Sequence, residues 1–205
     1  MPPHWLTTSE IEKQIAGYAL RFDACQDDEI EWRYQPPPFV IAFSAFLETF
    51  QRVPTQAEFK NYYLEKNGAA LHAEFERKWR AASTRQRKKR ALIARLDRAY
   101  PSFVRDVYLL ALLRENGIAA TYDPACDVAG GVDMSVTANA RQIQVHVFLD
   151  SPRARQGRAK KDRRHHFTGE HFDLVVRRAE CKIVGAFWLP TLTHVERIKA
   201  RMEMR

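Results

Sequence analysis

The chain has 205 residues, 45% hydrophobic and 11% aromatic, which is enough to bury a core as one domain or two small ones and too apolar for a disordered segment. Lys and Arg outnumber Asp and Glu by 33 to 25, a net charge of +8 that favours a polyanionic partner. Cys25, Cys126 and Cys181 are few, scattered and without CxxC spacing, which argues against a disulfide framework or zinc knuckle and fits a reducing cytoplasm. The N-terminus lacks the basic-then-apolar pattern of a signal peptide, and the apolar runs VYLLALL and FVIAF are too short to span a bilayer, so no membrane partner is expected.

In chain order, the first half reads as helical. Thr7 and Glu10 have capping-box spacing, and Ile11, Ile15, Tyr18 and Phe22 follow at helical intervals. The run Pro36-Pro37-Pro38 precedes a second helix over Phe39 to Phe50. Thr55 and Glu58 form a second capping box, opening a third helix over Gln56 to Lys66 that is expected to stop at Asn67-Gly68. A fourth helix is expected over Ala69 to Ala99, interrupted near Ser83-Thr84 and ended by Pro101. An amphipathic helix then covers Ser102 to Asn116, with Phe103, Val107, Leu110 and Leu113 inward and Gly117 as its stop. Strand-like runs follow at Ile118 to Tyr122, Val132 to Thr137 and Gln142 to Leu149, then a basic helix over about Pro152 to His166. Phe172 to Arg178 and Ile183 to Leu189 read as strands and Thr191 to Met204 as a closing helix. The order predicts an α+β protein, with a helical domain over 1–100 ending in a basic helix and an α/β domain with a mixed sheet over 101–205.

Charge is unevenly placed. Residues 1–34 hold Glu10, Glu12, Asp23, Asp27, Asp28, Glu29 and Glu31, whereas Arg85, Arg87, Lys88, Lys89 and Arg90 crowd the middle helix. Five bases in six positions repel one another unless an anion compensates, so this row is a candidate nucleic-acid surface. The second basic segment places Arg153, Lys160 and Arg164 near one helical stripe, with Arg158 and Lys161 beside it and Arg155 and Arg163 completing the run. The helix-turn-helix spanning Phe39 to Lys66 offers no Arg on its second helix, and Phe59, Tyr62, Tyr63 and Leu64 read as packing or partner-docking residues rather than groove readers.

The hairpin between the two basic regions carries the chemistry. Ile143, Val145, Val147 and Leu149 alternate with Gln144 and His146, so the two polar residues share a face. A turn over Ala138 to Arg141 sets Asp133 opposite His146; a tighter Ala138-Asn139 turn sets it opposite Gln144. Either register leaves all three on one side.

Over residues 102 to 189, a helix, a three-stranded meander, a second helix and a further strand, with Asp133 in GVDMSV and Gln144 and His146 in IQVHV, resemble the PD-(D/E)xK, or restriction-endonuclease-like, superfamily. The resemblance implies metal-dependent phosphodiester hydrolysis, with Asp133 and Gln144 as ligands of Mg2+ or Mn2+. His146 stands where the family has Lys and would act near the attacking water, with Lys160 or Lys161 as a substitute for that Lys. A further acid would come from Asp106, Glu115, Asp123 or Asp127, Glu115 being the candidate on the preceding helix. The resemblance also implies DNA ahead of RNA as substrate, a homodimer or partner protein held through the helical region, and a setting in phage defence or mobile-element biology. The alternatives are a catalytically inactive nucleic-acid-binding subunit, a metal-independent ribonuclease using His146 with His165 or His166, and a protein-interaction adaptor whose acidic N-terminus binds a basic partner.

Overall fold

One helix organises the molecule. In the structure, a computed structural model that describes residues 6–138, 141–164 and 169–203 and gives 138 and 160–164 as backbone alone, helix α5 runs from Ala82 to Glu115. Before it come α1 (Thr8–Ile15), α2 (Asp28–Trp32), α3 (Phe39–Phe50) and α4 (Gln56–Lys78). After it come β1 (Ala119–Thr121), α6 (Pro124–Gly130), β2 (Met134–Ala138), β3 (Arg141–Leu149), α7 (Pro152–Arg164), β4 (His171–Val176), β5 (Lys182–Val184), β6 (Phe187–Leu189) and α8 (Leu192–Glu203). The class is α+β, with a helical N-terminal region.

The break expected before Pro101 is absent. Proline offers no N–H to the carbonyl four residues back, that of Asp97. Gln56 supplies the missing donor: its Nε2 donates to the Asp97 carbonyl at 3.2 Å. The same side chain bonds the Arg21 backbone both ways, accepting from its N–H at 2.7 Å and donating to its carbonyl at 2.9 Å. With that carbonyl satisfied from outside, the apolar stripe carries the helix through the proline. From Val104 to Leu113 every residue of α5 is buried, so this stretch is a central helix rather than the amphipathic one expected.

The expected stop at Asn67-Gly68 is also overrun. Phe59, Tyr63, Leu71 and Phe75 continue one buried stripe along α4, and this packing outweighs the cost of about 1 kcal/mol for an interior glycine. The chain breaks instead at Trp79, whose ring packs edge-on against Phe75 and Tyr34. At the start of α4 the capping box forms in full, Thr55 and Glu58 each satisfying the other's backbone N–H. Helix α1 is shorter than its pattern: it ends at Ile15, and Phe22 is exposed. Helices α2 and α6 fall where the sequence gives no clear period.

The sheet order is β1-β2-β3-β4, antiparallel within the first three strands and parallel between β3 and β4, which α7 connects. Ala138 pairs with Arg141 and Met134 with Val145, so the wider of the two turns is the real one. Ile183 to Leu189 is a hairpin of β5 and β6, apart from the main sheet, rather than one strand. A continuous buried cluster joins Ile11 and Ile15, Phe43 and Phe59, the core of α5, Val136, Val145 and Leu174 of the sheet, and Val195 and Ile198 of α8. The expected segments 1–100 and 101–205 are thus bridged by one helix and share this cluster.

Candidate functional site

A cleft of about 580 Å³ opens where the helical region meets the sheet. Glu31 and Trp32 of α2 and Phe39 and Val40 of α3 form one wall. Arg95, Arg98, Phe103, Arg105 and Asp106 of α5 form its base. Asp127, Asp133, the β3 residues Val147 to Leu149 and the first turns of α7 close the other side. This volume suits a small-molecule-sized group.

Asp133 is the candidate residue best placed. It lies just before β2 and is 8% exposed. Strand pairing ends at Met134↔Val145, and the next inward N–H of β3, that of Val147, donates to Asp133 Oδ2 at 2.6 Å. Gly131, at φ +68°, caps α6 and turns the chain into this position.

Gln144 and His146 are not brought to the cleft. β3 enters it further along, through Val147, Phe148 and Leu149. Gln144 sits mid-strand between Ser135 and His171. His146 is 1% exposed, with its ring 6.1 Å from that of His171 and Asp173 as its strand partner. Arg158 of α7 reaches Asp173 at 2.7 Å, which lays α7 over this face of the sheet. A shared face was the right deduction from alternation, but that face is covered by a helix.

Of the proposed extra acids, Asp106 and Asp127 line the cleft. Glu115 does not: it accepts from the Thr8 N–H and hydroxyl, both at 2.7 Å, and so holds the start of α1. Asp123 caps α6 by accepting from the Ala125 N–H. Among the described residues no group of three or more His, Cys, Asp or Glu side chains is arranged to hold a metal ion. Of the expected Mg2+ or Mn2+ ligand pair, Asp133 lines the cleft and Gln144 does not; the β3 residues beside Asp133 there are Val147, Phe148 and Leu149, and Asp133 Oδ2 accepts the Val147 N–H.

The basic middle helix faces inward as much as outward. Lys88, 7% exposed in its side chain, donates to Asp27 at 2.6 Å and to Glu29 at 2.7 Å. Arg87 pairs with Asp27 at 3.1 Å and Arg90 with Asp23 at 2.6 Å, while Arg85 donates to the Trp79 and Arg80 carbonyls. Burial works to raise the Asp27 carboxyl, but Lys88, the Ile30 N–H and Arg87 outweigh it and hold it below its usual range. The acidic N-terminal segment is the counterion of Arg87, Lys88 and Arg90, whereas Arg85 and Lys89 have no acidic partner among the described residues.

On α7, Arg153 pairs with Glu31 and lies 6.0 Å over the Trp32 ring, and Arg155 pairs with Asp150 at 2.7 Å. Both arginines remain substantially exposed; the Arg155–Asp150 pair is a solvated surface pair, whereas Arg153 meets a buried Glu31 carboxylate. The side chains of Lys160, Lys161, Arg163 and Arg164 lie outside the described residues, as do His165 and His166 entirely.

Sequence reasoning missed the parts that Glu31 and Arg105 play in the cleft. Glu31 is the hub, pairing with both Arg98 and Arg153 and so tying α2 to α5 and α7. Arg105 is 8% exposed within an otherwise apolar stretch, and burial pushes its guanidinium below its usual range. The adjacent pair Arg105-Asp106 inside an apolar helix was the one signal available. No family model, curated protein or solved structure matches the chain.

Proposed function

We propose that this chain is a nucleic-acid-binding protein that uses a nuclease-like α/β unit for shape and charge, with α7 and the mouth of the cleft against the phosphate backbone. One observation carries the reading. Where a metal-dependent nuclease needs oxygen or nitrogen ligands on β3 beside its aspartate, the cleft presents Val147 and Leu149. The order of helix, three-stranded meander, crossover helix and parallel strand supports the nuclease-like part. Exposed Arg153 and Arg155, followed by the bases at 160, 161, 163 and 164, support the polyanion. DNA ahead of RNA follows from the resemblance alone.

Asp106, Asp127 and Asp133 in one cleft favour metal-dependent hydrolysis as the second reading, and one experiment separates the two. Labelled single- and double-stranded DNA and RNA are titrated at rising salt, and the same samples are assayed for cutting in Mg2+, Mn2+ and EDTA. The first reading expects uncut complexes. If about four phosphates are neutralised, affinity falls roughly a hundredfold between 50 and 200 mM salt. Asp133→Ala is expected to leave binding unchanged. Metal-dependent cutting abolished in Asp133→Ala would establish the second reading, and absence of binding at low salt would sink both.

A further inference from the structure

Arg105 is a guanidinium at the base of the cleft, 8% exposed and pointing to no acid of its own. It forms no hydrogen bond or ion pair with a described residue, and its Nε is buried with no partner. Asp106 and Asp133 act on it only through space. An unmatched buried cation is among the costliest features a fold retains, because it gives up hydration without a hydrogen-bonded counterion. The neighbouring arginines are provided for: Arg98 and Arg153 share Glu31, and Arg158 has Asp173. Arg95 donates to the Ile30 and Tyr34 carbonyls, so among the described arginines of the cleft Arg105 is left over, and it lines a cavity large enough for a ligand.

We infer that Arg105 anchors an oxyanion subsite that takes a phosphate monoester, with Trp32 and Phe103 available to the body of the ligand. A guanidinium fork matches two phosphate oxygens at once, and the cleft wall adds the exposed part of Arg153. The phosphate comes either from a free nucleotide-sized ester or from the terminal phosphate of a nucleic acid, and the second source rests on the proposed function.

The test uses the full chain, with wild type, Arg105→Met and Arg105→Lys compared. Thermal unfolding is followed with inorganic phosphate and with a nucleoside monophosphate. Binding is followed with one oligonucleotide carrying or lacking a 5′-phosphate. Without ligand, Arg105→Met should unfold at a higher temperature than wild type, since it removes the unmatched charge. Phosphate should raise the wild-type midpoint and leave that of Arg105→Met unmoved, and preference for the phosphorylated end should fall roughly ten- to a hundredfold. Arg105→Lys keeps the charge without the fork and should retain part of the phosphate response, which holds the test open if the Met variant does not fold.

A wild-type midpoint insensitive to phosphate, or an equal response in Arg105→Met, would overturn the subsite. Equal binding of both oligonucleotides with an intact phosphate response would restrict it to free esters. Tight binding of both with no phosphate response would overturn the subsite and leave the nucleic-acid reading standing. A phosphate response lost in Arg105→Met, with no oligonucleotide bound, would do the reverse.

Discussion

Lys88 distinguishes two meanings of the basic middle helix. If the row exists to hold nucleic acid, Lys88→Ala should leave stability alone, weaken binding on every sequence and reduce the salt slope by about one. The geometry predicts otherwise. Lys88 and Asp27 are 7% and 4% exposed in their side chains and 2.6 Å apart, and Lys88 also holds Glu29 at 2.7 Å. Removing one partner of a buried pair costs about 3–5 kcal/mol because the other charge is left uncompensated. Arg87 still stands 3.1 Å from Asp27, and Glu29 is about a third exposed, so the lower end, about 3 kcal/mol, is expected. That is a large share of the 5–15 kcal/mol typical of a folded chain. Urea unfolding at neutral pH measures it as a fall in the midpoint at constant slope. Arg90→Ala is the control: its pair with Asp23 is solvated, and it should cost no more than a surface pair, under about 1 kcal/mol. The pH dependence has a definite sign. Asp27 is held below its unfolded value in the native state. Its contribution is therefore present above the unfolded carboxylate pKa near 4 and is lost as pH falls through the folded value, so the gap between wild type and Lys88→Ala should narrow in acid. A neutral-pH loss under about 0.5 kcal/mol, with a full drop in nucleic-acid affinity, would refute the counterion account.

Three further outcomes follow from particular contacts. Gln56→Leu should cost about 2–3 kcal/mol and speed amide exchange around Asp97 to Pro101, because it strands the Asp97 carbonyl and both Arg21 backbone groups; unchanged exchange there would mean that Gln56 is not what carries α5 through its proline. Gly185→Ala should lower stability by roughly 2 kcal/mol or more in thermal unfolding, since φ is +55° and the new Cβ would stand 2.7 Å from the Ala16 carbonyl oxygen and 2.9 Å from that of Ile15. Glu58 accepts two bonds from Arg52 and closes the Thr55 cap, which lowers its carboxyl to about 2. Its stabilisation is present above its unfolded value and fades as pH drops toward 2. Acid titration of Glu58→Gln should therefore show a shallower loss than wild type, by on the order of 1 kcal/mol after solvent screening; parallel curves would contradict the assigned shift.

Much of the architecture was written in local pattern. The Thr55-Glu58 box, the helix that follows Pro36-Pro37-Pro38 and the alternation in β3 each follow from one stretch of chain, and each formed where its residues placed it. Local signals failed where a distant group changed the balance. Pro101 is a helix stop unless something replaces its N–H, and Gln56 lies 45 residues away. Gly68 ends a helix unless Leu71 and Phe75 have a core to enter.

The functional reading divides along the same line. The sequence by itself determined that Gln144 and His146 share one side of β3, because strand periodicity is a property of the backbone. It also determined that two segments are crowded with bases, because charge is composition. Only the tertiary structure decided which face lies open and which charges are already answered. Gln144 and His146 lie on the face that α7 covers, and Asp133 reaches the cleft because pairing stops one residue short of it. Lys88 meets Asp27 across 61 residues, whereas Arg105, with no period to mark it, is left unmatched at the base of the cleft. Burial and pairing are relations between parts of the chain far apart in sequence, and no window along it contains them.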